Sequence, residues 1–112
     1  MQTSTETKTV TVGDLFRCSW GYDQTNIDYY QVTGVTPSGK SVRLRMVASE
    51  VVDTQVSRES VRAVPNAFIG AERTYRIKYW NNEPCVRISS YSHAYLHSWD
   101  TSSSQTAWGF GH

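Results

Sequence analysis

The sequence has no apolar run long enough to cross a membrane as a helix, only two cysteines and three prolines among 112 residues, and a net charge of +1. Its opening, MQTSTETKTV, also lacks the apolar stretch that a secretory signal needs, so the expected product is soluble and cytoplasmic, with no membrane partner. Two cysteines permit one disulfide at most. Cys18 alternates with Phe16 and Trp20 toward a core face, whereas Cys85 shares its face with Arg87, so free thiols are expected. There is no GxSxG elbow, no glycine-rich phosphate loop, no HExxH pattern and no cysteine cluster, so no catalytic residue, cofactor or metal is assigned. Helical periodicity, heptads and internal repeats are missing as well.

Large rings are what the chain does contain. Aromatic residues make up 12% of it against a modest 38% hydrophobic content, so rings must close a core, line a site, or both. The length fits a single domain. Residues 1–9 read as a flexible arm and residues 10–112 as one β domain. Phe16, Cys18 and Trp20 alternate with Arg17 and Ser19, and a strand from Ile27 to Val35 puts Ile27 and Tyr29 opposite Tyr30 and Val32. Thr36-Pro-Ser-Gly-Lys40 is a hairpin signal, followed by Val42, Leu44 and Met46 facing inward. Ala48 to Val56 reads as a further strand, and Val61 to Val64 as an edge pairing stopped by Pro65. Tyr75, Ile77 and Tyr79 alternate with Arg76, Lys78 and Trp80, and Asn81-Asn-Glu-Pro84 reverses the chain. One long strand is expected from Cys85 to about Trp99, then a polar turn at Asp100 to Gln105 and a last strand carrying Trp108 and Phe110. This pattern predicts an all-β fold, a small SH3-like barrel or a curled antiparallel sheet, with the barrel hiding otherwise exposed edges.

Three groups of residues are candidates for a ligand. The loop led by Trp20, with Tyr22, Asp23, Gln24 and Asn26, sets flat apolar surface beside donors and acceptors. Its competing reading is architectural, because Asp and Asn side chains fold onto nearby amides to define turns. The second group is the stripe Tyr91, His93, Tyr95, His97 and Trp99, which one strand would align as a ladder able to stack bases, or equally as a core face. His93 and His97 have the spacing of two helical metal ligands, but a strand would hold them ~13 Å apart. The third group is cationic. Residues 40 to 87 carry nine bases against five acids, and eight of the eleven bases in the chain are arginine, a residue suited to planar contacts with phosphate. Arg43, Arg45, Arg76 and Lys78 are the positions for such contacts, or else an ordinary solvated face.

The segment from Val12 to Val35, GDLFRCSWGYDQTNIDYYQVTGV at its heart, resembles small uncharacterised proteins encoded by bacteriophages and other mobile elements. Ile88-Ser-Ser-Tyr91 with Ala94-Tyr95-Leu96 resembles a second stretch of that group. The resemblance implies phage origin and little else, and it transfers no catalytic residue; the expected location is the host cell cytoplasm. The function expected is a non-enzymatic binding module for a nucleotide or nucleic acid, acting on host or defence machinery. The alternative is a protein–protein inhibitor or adaptor that docks on a host enzyme through an aromatic face. A homodimer is compatible with either.

Overall fold

Alternating β-branched, aromatic and polar residues form eight strands: β1 (Leu15–Trp20), β2 (Asn26–Val35), β3 (Ser41–Thr54), β4 (Arg58–Phe68), β5 (Arg73–Trp80), β6 (Glu83–Arg87), β7 (His93–His97) and β8 (Ser103–Thr106). The computed structural model describes residues 9–21 and 25–106, and no helix occurs among them. Outside them lie the expected arm except Thr9, the loop residues Tyr22, Asp23 and Gln24, and the Trp108–Phe110 strand expected at the C-terminal end.

Every pairing is antiparallel. The order is β2-β1-β7-β6-β5-β3-β4-β8, and a further β2–β3 pairing links six of these strands into a ring, with β4 and β8 extending from it. The protein is therefore all-β, a single antiparallel sheet curled toward a barrel. Two hairpins follow from turn chemistry. Gly39 takes a positive φ of 73° between β2 and β3, and Asn81 and Asn82 take 51° and 66° between β5 and β6, a conformation asparagine tolerates better than most residues.

Strand β3 joins the ring to the extension. Ser41–Leu44 pair with β5, Val42–Val47 with β2, and Val47–Thr54 with β4. The expected pair of strands over this region is thus one strand of 14 residues, because no turn former interrupts it. Nor does Pro65 stop β4. The ladder to β3 jumps from Ser49–Ala63 to Val47–Phe68, so the proline sits in a bulge where no amide donor is required.

The sheet buries both of its faces at β1 and β2. Phe16, Cys18, Tyr30, Val32, Val42, Leu44, Ile77, Val86 and Ala94 fill the ring. On the reverse side Leu15, Ile27 and Tyr29 pack with Val47, Val61 and Ala63, under the extension. The buried Tyr29 hydroxyl donates to the Val61 carbonyl at 2.9 Å, and the Ile27 amide donates to Gln105 Oε1 at 3.1 Å. Asp100 to Gln105 is accordingly not all turn, since Ser103 to Thr106 pair with Val61 to Arg58.

The long strand expected from Cys85 to Trp99 is a hairpin. β6 ends at Arg87, the chain bends through Ile88–Ser92, and β7 returns to pair Arg87 with His93 and Cys85 with Tyr95. The Ile88 amide donates to the Ser92 carbonyl at 3.0 Å, and the Ser89 and Ser92 hydroxyls meet at 2.8 Å. Serines with side chains that satisfy local polar groups can make a bend without glycine or proline.

Candidate functional site

Strand register decides which candidate residues share a surface. Lys78 is the Cα partner of Cys85, Cys85 of Tyr95, and Tyr95 of Arg17, so these four form one row across β5, β6, β7 and β1. Their side chains point out of the ring, because the intervening Ile77, Val86, Ala94 and Cys18 point in. Arg87 and His93 form the neighbouring row, and Arg76 lies two residues from Lys78 on the same face. The structure thus joins two of the expected groups: His93 and Tyr95 of the ring stripe stand beside Arg76 and Lys78. Neither Arg76 nor Lys78 has a hydrogen bond or ion pair among the described residues, and both are exposed. Tyr95 is 42% exposed and Trp80, at the end of the same face, 69%. Cys85 is buried although it faces outward, with Lys78 and Tyr95 as its cross-strand neighbours.

The remainder of the stripe is structural or lies elsewhere. His97 is half-buried, its ring centroid 5.9 Å from that of Tyr29, and its Nε2 meets the Thr101 carbonyl at 3.1 Å. Burial pushes its pKa down, the Thr101 bond opposes this, and nearby Arg17 adds to the lowering. Trp99 packs against the second core and donates from Nε1 to the Gly13 carbonyl at 2.9 Å. Tyr91 sits in the β6–β7 bend, 95% exposed. The single ladder of five rings expected from the sequence is therefore corrected: the hairpin and the extension divide it. His93 and His97 lie four residues apart along a strand, too far for one ion. Among the described residues no group of three or more potential ligands could hold a metal.

Arg43 and Arg45 are engaged within the fold. The Arg43 guanidinium lies against the Cα of Gly34, where any side chain would collide with it, and Nε is 3.9 Å from Glu72. Arg45 donates from Nε to the Gly70 carbonyl at 2.6 Å and stacks 4.8 Å above the Phe68 ring. Two cations absent from the expected set, Arg17 and Arg87, border the same face, and both are also tied to the fold: half-buried Arg17 donates from Nη1 to Ser103 Oγ at 3.1 Å, and exposed Arg87 donates from Nε to the Ser89 carbonyl at 3.3 Å. Arg87 shares the β6–β7 parity, which was visible in the sequence, whereas the position of Arg17 depends on β1–β7 pairing, which was not.

A cavity of about 690 Å³ opens at one end of the ring, where Trp20, Asp28 and Tyr30 meet Ile88 and Tyr91. The Trp20 indole donates from Nε1 to Asp28 Oδ2 at 2.7 Å. Burial, then the Asp28 charge, pushes the Tyr30 phenol well above its ordinary value, so its hydroxyl stays neutral. Asn26 is the strand partner of Trp20, and its Nδ2 is buried without a hydrogen-bond partner among the described residues. Trp20 and Asn26 are thus cross-strand neighbours. Tyr22, Asp23 and Gln24 lie outside the described residues.

The chain matches no family model, no curated protein and no solved structure. No helix among the described residues is long and apolar enough to cross a membrane.

Proposed function

We propose that the protein is a non-enzymatic binding module that takes a single-stranded nucleic acid across the outer face of β5, β6, β7 and β1. The observation that carries this reading is the row in which Tyr95 lies between Lys78 and Arg17, with Arg76, Arg87 and His93 beside it. A ring between cations can stack a base while neighbouring charges take its phosphates, and base stacking tolerates any sequence. Glu83 is the carboxylate placed on the same face among the described residues, so positive charge dominates there. The resemblance of residues 12–35 to phage proteins supports a phage-encoded role against host or defence machinery in the host cytoplasm.

The test is fluorescence anisotropy of a labelled oligothymidine at several salt concentrations. With Arg76, Lys78 and Arg87 contacting phosphates, the logarithm of affinity should fall against the logarithm of salt with a slope of about −2. Tyr95→Ala should weaken binding by about 1–3 kcal/mol at fixed salt, and Arg76→Glu with Lys78→Glu should abolish it. Absence of binding at low salt, or binding indifferent to all three changes, would overturn the proposal. A protein partner is the second reading, favoured by the exposed Tyr79 and Trp80 beside the β5–β6 turn. Such docking would depend on Trp80 and respond weakly to salt.

A further inference from the structure

We infer that the cavity at the end of the ring is a second, separate binding site, for a small organic cation of the quaternary or methylated ammonium class. Trp20, Tyr30 and Tyr91 supply aromatic surface to this space and Ile88 an aliphatic wall. Asp28 is the only charged residue lining it among the described residues, and no Lys, Arg or His is there to receive a phosphate or carboxylate. Its chemistry is thus the opposite of that of the cationic β5–β7 face. The cavity, at about 690 Å³, lies within the range of small-molecule sites.

The arrangement suits a cation held by ring faces and by charge. The Trp20 N–H is already committed to Asp28 Oδ2 at 2.7 Å, which leaves the indole with its π face to offer and fixes the carboxylate beside it. Among the described residues Asp28 accepts a hydrogen bond only at Oδ2 and forms no ion pair, so a carboxylate without a cationic partner borders the cavity. Ring faces attract an alkylammonium through the negative side of their quadrupole, and a nearby carboxylate adds a Coulombic term that requires no directional bond. Tyr30, held neutral, contributes a ring rather than a competing charge. Tyr91, on the bend, extends its ring from the rim without a role in the core.

Choline and its neutral isostere 3,3-dimethylbutanol, which replaces the charged nitrogen by carbon, provide the test by isothermal titration against the full chain. Choline should bind saturably with one site, and the isostere about tenfold or more weaker. Asp28→Asn retains an oxygen to accept the indole N–H while removing the charge, and Tyr91→Ala removes an exposed ring. Each should lower choline affinity about tenfold with the circular dichroism spectrum unchanged. Lys78→Glu should leave choline binding intact, which separates this site from the nucleic-acid face whether or not that face functions. No saturable choline binding, equal binding of the isostere, or Asp28→Asn and Tyr91→Ala proteins that bind choline as the parent does would each overturn the inference.

Discussion

Gln31 and Asn66 grip one another through two hydrogen bonds of 2.9 Å, Gln31 Nε2 donating to Asn66 Oδ1 and the Asn66 amide donating to Gln31 Oε1. Asn66 has a φ of 64° in the bulge beside Pro65, so this pair replaces the ladder that β4 forgoes there. Gln31→Leu strands the Asn66 amide and should destabilise the protein by about 1–3 kcal/mol in urea denaturation. Asn66→Gly keeps the backbone conformation and the main-chain bond, and should cost less.

Tyr29→Phe addresses the join between ring and extension. The change removes only the hydroxyl that donates to the Val61 carbonyl, with an expected loss of about 0.5–1.5 kcal/mol for the hydrogen bond. An unchanged denaturation midpoint would show that the extension is not fastened at this point.

His97 sets a pH dependence. Its folded-state pKa lies below the ordinary 6.5, chiefly through burial, so in that window the unfolded chain binds the proton more readily than the folded one. Stability should therefore be full above about pH 6.5, decline as pH falls toward the lowered value, and then level off with respect to this group. His97→Gln should remove that component of the decline, as measured by denaturation midpoints between pH 7 and pH 5.

Cys18 and Cys85 are free and buried, and burial pushes both thiols up. They lie on opposite faces of the sheet, which keeps them from pairing. Iodoacetamide at pH 8 should modify both slowly in the native protein. Tyr95→Ala should accelerate reaction at Cys85 and leave Cys18 slow, since Tyr95 is the cross-strand neighbour of Cys85 on the outer face whereas Cys18 faces into the ring.

Arg45 provides a contrast with the open cations. Arg45→Ala breaks its bond to the Gly70 carbonyl and its stacking on Phe68, so it should lower the urea midpoint while leaving oligothymidine affinity and its salt slope nearly intact. Arg76→Ala should do the reverse.

The sequence disclosed the strands whose alternation was bounded by distinctive turns, at the Gly39 hairpin and the Asn81-Asn82 reversal. It misled where punctuation was weak or misleading. Ser89 and Ser90 gave no turn signal, so two strands read as one, and Pro65 gave a stop signal that a bulge absorbs. For the candidate site, alternation grouped His93 with Tyr95 and Arg76 with Lys78, but left open whether the ring-bearing face was core or surface. It could not show that β7 lies between β6 and β1, because the bend at Ile88–Ser92 carried no signal and the β1–β7 pairing joins segments distant in sequence. Nor could it show that the extension covers part of the reverse face, which turns His97 and Trp99 from candidate contacts into packing.

The shared burial of β1 and β2 ties the fate of one half of the molecule to the other. Phe16 and Tyr30 look into the ring while their neighbours Leu15 and Tyr29 look into the extension, so neither cluster can come apart without baring the backs of strands the other depends on. The protein should consequently melt in one cooperative calorimetric transition, with the ring and the extension lost at the same temperature.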